Sequence, residues 1–261
     1  MNPGSPPTGD APPPADALAL ASDARTRTHR LLAVCALLFA AARFAPLPLL
    51  DDILRARIRK AMVERLLALA GGALGADHVE PLWHDASGCG AGCLSLLWKL
   101  PLKLLLFPIR KLLSIIGAAH HLARDVTEAL LYGRAVKRAL AAGLLPAETP
   151  PAELRARATA VRAAFDGAFL GADLAAVRGA LGAALGRVPG LPRAALREVR
   201  AFAAKSRPDA EAHDATVTAG ASVIEEVLGR PEVQRAVADF DARFDAAVAA
   251  SPTLAATSPP S

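Results

Sequence analysis

The sequence predicts an all-α protein, and three observations predict it. Hydrophobic residues make up 53% of the 261 positions while aromatics make up only 4%. Much of the apolar content is alanine, which favours helix and buries little area per residue, so a core must rest on Leu, Val and Ala. No stretch alternates polar and apolar with period two, whereas spacings of three and four recur along most of the chain. The length suits one large domain or two small ones.

Taken in order, residues 1–21 (MNPGSPPTGDAPPPADALALA) are rich in Pro and Gly and read as a disordered tail. Residues 22–146 read as an apolar, basic helical region. It opens on the charge-free run Leu31–Ala42, which Arg43 and the proline-broken FAPLPLL close. Asp51 stands where an N-cap belongs, ahead of a helix with Leu54, Ile58, Met62, Leu66 and Leu69 on one stripe. Asp51 also lies four residues before Arg55, so an ion pair between them explains both without catalysis. That helix is expected to weaken at Gly71 and Gly72 and to end near Ala76. A glycine-rich loop follows, then Leu94–Leu113 (LSLLWKLPLKLLLFPIRKLL), segmented by Pro101 and Pro108.

Residues 147–250 read as an antiparallel bundle of amphipathic helices with short loops. Pro150-Pro151 starts the first of them and Asp173 caps the second. Pro189-Gly190 turns into the third, a fourth runs from Asp209 to Leu228, and Pro231 opens the last. Residues 251–261 (SPTLAATSPPS) read as a second disordered tail.

The formal net charge is +5. Its placement, in a basic, apolar front half ahead of a near-neutral back half, points to anionic lipid. Nucleic acid is not expected, because aromatic stacking platforms and groove-reading motifs are missing. No run is long and uncharged enough to span a bilayer, which needs about 20 mainly apolar residues. In the second run, however, Ser95, Lys99, Lys103, Arg110, Ser114, His121 and Arg124 fall within a sector of about 100° on a helical wheel. The remainder of that helix is apolar apart from Lys111 and His120. Such a narrow basic stripe suits a helix lying in the headgroups, its lysine stems reaching up and Trp98 at the interface. The expected membrane-contact residues are therefore Trp98, Lys99, Lys103, Arg110, Lys111 and Arg124. The competing readings are a soluble core helix with surface charges and, for residues 25–42, an export signal.

No catalytic motif or cofactor site is found, and an enzyme is not expected. His78, His84, Cys89 and Cys93 are metal-capable types within sixteen positions, but the histidines lie six apart and match no zinc-finger spacing. A flexible glycine turn explains the stretch as well. The three cysteines are too few for a disulfide framework. Gly179, Gly182 and Gly186 form a small-residue face suited to close helix packing inside the bundle or to self-association. The expectation is a membrane-associated helical protein on the cytoplasmic face, with a protein partner or a second copy meeting its C-terminal bundle. The alternatives are a soluble helical adaptor and a metal or redox protein around His84, Cys89 and Cys93.

Overall fold

A computed structural model describes residues 15–44, 50–72, 74–84, 118–204 and 214–255, with 15–25, 50 and 118–120 described by backbone alone. The helices in order are α1 (Ala15–Ala42), α2 (Leu50–Leu69), α3 (Ala118–Ala141), α4 (Pro151–Gly171), α5 (Ala175–Leu185), α6 (Leu191–Ala204), α7 (Ala215–Leu228), α8 (Pro231–Ala249) and the single turn α9 (Pro252–Ala255). A short 3-10 helix, Ala76–Leu82, follows α2. Among the described residues there is no strand, and the all-α expectation stands.

The centre of the fold is α1. Every residue from Leu32 to Ala42 is buried, as a helix apolar on all sides requires. Helices α2, α3, α6 and α7 surround it. The run with the look of an export signal is thus the central core helix. Because α6 and α7 pack on α1, the helices on either side of residue 146 share one continuous core.

Two expected tails are partly helical. Helix α1 begins at Ala15, inside the stretch expected to be disordered, and α9 buries Leu254 beyond Ser251. Helix α2 ends at Leu69, earlier than expected, because Gly71 (φ 115°) and Gly72 (φ 69°) adopt left-handed conformations that stop a helix. At the α3–α1–α2 crossing a glycine is required by space. A Cβ on Gly133 would lie 2.4 Å from Leu32 Cδ2 and 3.1 Å from Met62 Sδ.

The proline and aspartate starts fall as read, with small shifts. Pro151 and Pro231 open α4 and α8 at positions where a missing N–H costs nothing. Asp173 accepts a hydrogen bond from the Ala175 N–H (3.1 Å). Helix α7 is capped by Asp214, which accepts from the Thr216 N–H at 2.8 Å; the expected start of this helix, Asp209, lies outside the described residues.

With so few aromatics, the core uses arginines to widen its alanine-rich packing. The guanidiniums of Arg55 and Arg59 sit 4.6 and 4.9 Å from the Phe39 ring centre. Arg59 and Arg162 flank Tyr132 at 5.6 and 5.2 Å, and Tyr132 meets Phe165 edge to face at 5.0 Å. Each such contact contributes about 0.5–2 kcal/mol according to its desolvation, and the column ties α2, α1, α3 and α4 together. Arg134 completes the frame by forking onto Asp241 of α8 at 2.6–3.0 Å.

Candidate functional site

The expected membrane-contact residues Trp98, Lys99, Lys103, Arg110 and Lys111 lie outside the described residues, as do Cys89 and Cys93. What the structure describes is how the bundle holds the two ends of residues 85–117.

The incoming end is anchored by the 3-10 helix. Val79 and Leu82 are wholly buried, and the Leu82 carbonyl accepts a hydrogen bond from the Tyr132 hydroxyl. Trp83 donates from Nε1 to the Ala76 carbonyl at 3.0 Å and carries the Lys60 ammonium 4.7 Å from its ring centre. Lys60 also pairs with Asp77 at 2.7 Å, which holds that exposed carboxyl below its ordinary value through the hydrogen bond first and the charge second. Arg155 of α4 bonds Glu80 at 2.7 Å. Three residues from other helices, Tyr132, Lys60 and Arg155, therefore hold the chain before His84.

The returning end is α3. Asp125, in its second turn, is only 3% exposed at the side chain and takes two cations from other helices. Arg55 of α2 donates to it at 2.6 Å and Arg43, just past α1, pairs with it at 2.8 Å. One turn on, Arg59 donates to Glu128 at 2.8 Å. The expected Asp51–Arg55 pair is thereby corrected. Asp51 lies within the first turn of α2, and Arg55 turns inward to the buried carboxylate, where the absence of water makes the attraction stronger. Arg124, next to Asp125, points the other way and is exposed, and so is His121. The described part of the stripe therefore reaches the surface at the point where α3 begins.

The remaining candidates are dispersed. His78 is exposed, while His84 is half-buried with its ring edge-on to Trp83 at 5.9 Å. Among the described residues no group of three or more His, Cys, Asp or Glu is placed to hold a metal ion. Cys35 is buried in α1, and burial pushes its thiol up to about 12, so it is a core residue without nucleophilic character at neutral pH. In the glycine face of α5, a Cβ added at Gly182 would lie 3.6 Å from the Ala123 Cβ, while one at Gly179 would meet nothing within 4 Å.

A second basic region was hidden from the sequence reading because its charge was averaged with acidic neighbours. From Ala86 to Arg124 there are five basic residues and no acidic one. From Arg187 to Arg207 there are six basic residues and only Glu198 to offset them. Each block has an excess of five positive charges, so the rest of the chain is net acidic by the same amount. A sliding charge window would have found the second block, which the apparent neutrality of the back half concealed.

Among the described residues no single helix is long and apolar enough to cross a membrane. The pair α4 and α5 passes by length and composition together, but is bent by 86° between its halves. Both helices of that pair contribute one face to the core. Compared with protein-family models, with curated proteins and with solved structures, the chain matches none of them.

Proposed function

We propose that the chain is a non-enzymatic, membrane-associated helical protein. Its basic, apolar stretch before α3 meets an anionic membrane surface from the cytoplasmic side, and the bundle of residues 147–250 is left to contact a protein partner. The observation that carries this reading is the tethering of that stretch at both ends to one helical core. Of the two apolar runs in the sequence, Leu31–Ala42 is accounted for by burial in α1. The membrane reading then rests on the run that carries Lys99, Lys103, Arg110 and Lys111 without a single acid.

The tethering also favours one mode of contact. A stretch whose two ends are held by one bundle must begin and end on the same side of a bilayer, so any crossing comes in pairs. Two crossings need about 40 apolar residues, and only 33 lie between His84 and Ala118. The exit beside Tyr132 and the return at Ala118 are separated along α3 by roughly 20 Å at 1.5 Å per residue. Contact confined to the near leaflet, with basic side chains among the headgroups, fits both numbers.

The test is fractionation of the native protein, with membranes washed in high salt and then in alkaline carbonate, alongside sedimentation with vesicles containing phosphatidylserine. The protein is expected in the membrane pellet, and Lys99→Glu with Lys103→Glu is expected to weaken vesicle binding at least tenfold. Recovery in the soluble fraction throughout, or undiminished binding by that variant, would overturn the reading in favour of a soluble helical adaptor.

A further inference from the structure

We propose that the outward face of α6 is a second contact for the same anionic membrane surface, an inference that rests on the membrane reading above. Arg193, Arg197 and Arg200 lie at i, i+4 and i+7, within about 60° on the wheel and roughly 10 Å along the axis. All three are exposed, while Leu191, Ala194, Ala195 and Val199 on the opposite face are buried. Among the described residues little compensates the row. The acid on α6 is Glu198, whose carboxylate is occupied in accepting the Asp214 N–H at 2.8 Å. Arg197 is shared with Asp214 at 2.8 Å. Arg193 and Arg200 have no ion-pair partner among the described residues.

Exposed Arg27, Arg30, Arg57, Arg124 and Arg235 on other helices likewise lack a carboxylate partner among the described residues, but none of those helices carries three exposed arginines at i, i+4 and i+7. Arg134, Arg155, Arg230 and Arg243, though also partly or fully exposed, are each paired with a carboxylate. A row with two unmatched arginines on a folded helix concentrates positive potential on one face, and that potential is complementary to a sheet of anionic headgroups.

Two further features favour a bilayer over a nucleic acid. Half-exposed Leu196 flanks the arginine row, about 40° beyond its edge on the wheel, and supplies an apolar side chain beside it. The helix before the row, α5, also packs on α3, whose start carries exposed Arg124. A Cβ added at Gly182 near the end of α5 would reach ordinary contact with Ala123, beside exposed Arg124, and exposed Arg187 follows α5 directly. Helix α6 starts from there, with Leu191 against the same Gly220 position that Leu37 of α1 covers.

The test measures sedimentation of the full chain with vesicles of phosphatidylcholine and phosphatidylserine at 7:3, and separately with a short DNA duplex. The variants are Arg193→Glu/Arg200→Glu, the charge-retaining Arg193→Lys/Arg200→Lys, and Lys99→Glu/Lys103→Glu. Because both arginines are exposed, the helical circular dichroism and unfolding midpoint of the Glu variant should match the parent. The proposal expects the Glu variant to lose at least tenfold in vesicle binding and the Lys variant to lose less than threefold. If the Glu variant binds vesicles as the parent does while Lys99→Glu/Lys103→Glu fails, the α6 contact is wrong and the membrane reading survives. If the parent ignores vesicles, both fall together. If the Glu variant loses only duplex binding, the row serves nucleic acid and the proposal is overturned.

Discussion

The arginines of α2 and those of α6 are the same residue put to opposite uses. Arg55 and Arg59 turn into the fold, stack on Phe39 and meet Asp125 and Glu128 from another helix. Arg193 and Arg200 turn out of it and meet no carboxylate among the described residues. Charge that has been matched inside a helical core is architecture, since each cation and its acid are desolvated together and neither retains a field beyond the contact. Charge left unmatched on a rigid helix face keeps its field, and that is the feature an external anionic partner can use. The distinction is one of partners rather than of residue type, and it can be broken at either end.

The largest effect is expected at Asp125. Replacing it with alanine leaves Arg55, mostly buried, and Arg43, partly exposed, without their shared carboxylate. Removing one partner of a buried pair costs about 3–5 kcal/mol, and the exposure of Arg43 favours the lower end of that range. Urea unfolding of Asp125→Ala should show the loss in the midpoint with little change in slope. A loss below about 1 kcal/mol would mean that the cluster is as solvated as the α6 row and that the contrast fails. Arg193→Glu/Arg200→Glu, by comparison, should shift stability by no more than about 0.5 kcal/mol.

An intermediate pair of effects separates packing from open surface with glycines instead of charges. Gly133→Ala gains the helix preference of alanine, about 1 kcal/mol. It must also displace the Leu32 and Met62 side-chain ends that sit 2.4 and 3.1 Å from the new Cβ, and overpacking of this kind costs about 1–3 kcal/mol. A net destabilisation of about 1 kcal/mol is expected. Gly179→Ala enters open space on α5 and should stabilise by about 0.5–1 kcal/mol. Equal and opposite shifts in thermal unfolding would place the close helix approach at α1–α2–α3. Destabilisation by Gly179→Ala at high protein concentration only would instead locate a self-association face there.

These contrasts also mark where the sequence was legible. Helix starts at Pro151 and Pro231 and the turn at Gly190 were readable because the chemistry is local: a missing N–H and a left-handed φ need no tertiary information. Leu31–Ala42 was legible as apolar but not as central, since a core helix and a membrane-directed one share composition and differ only in what surrounds them. Asp51–Arg55 was misread because an i,i+4 rule sees one helix at a time, and the stronger partner, Asp125, lies 70 residues away. The α6 row was legible in its spacing but was lost in a charge sum taken over too long a segment. The frame around residues 85–117 could not be read at all, because Tyr132 and Leu82 become neighbours only through the fold.

The smallest expected effect tests the point where matched and unmatched charge meet. Asp214 caps α7 through the Thr216 N–H and also holds Arg197 of the α6 row. Its carboxyl is held below the ordinary value of 3.8, first by the Arg197 hydrogen bond and then by the Thr216 bonds. A carboxyl lowered on folding contributes stability that is present above its unfolded pKa and disappears as pH falls through the folded one. Asp214→Asn keeps an acceptor for the cap but cannot titrate, so its unfolding midpoint should fall less steeply than the parent's below about pH 4. The same substitution frees Arg197 at neutral pH, turning a row of two unmatched arginines into three. Vesicle binding should then rise severalfold while stability at pH 7 falls slightly. Binding that drops with stability would mean that Arg197 and its partner serve the α6–α7 junction alone and add nothing to the outward field.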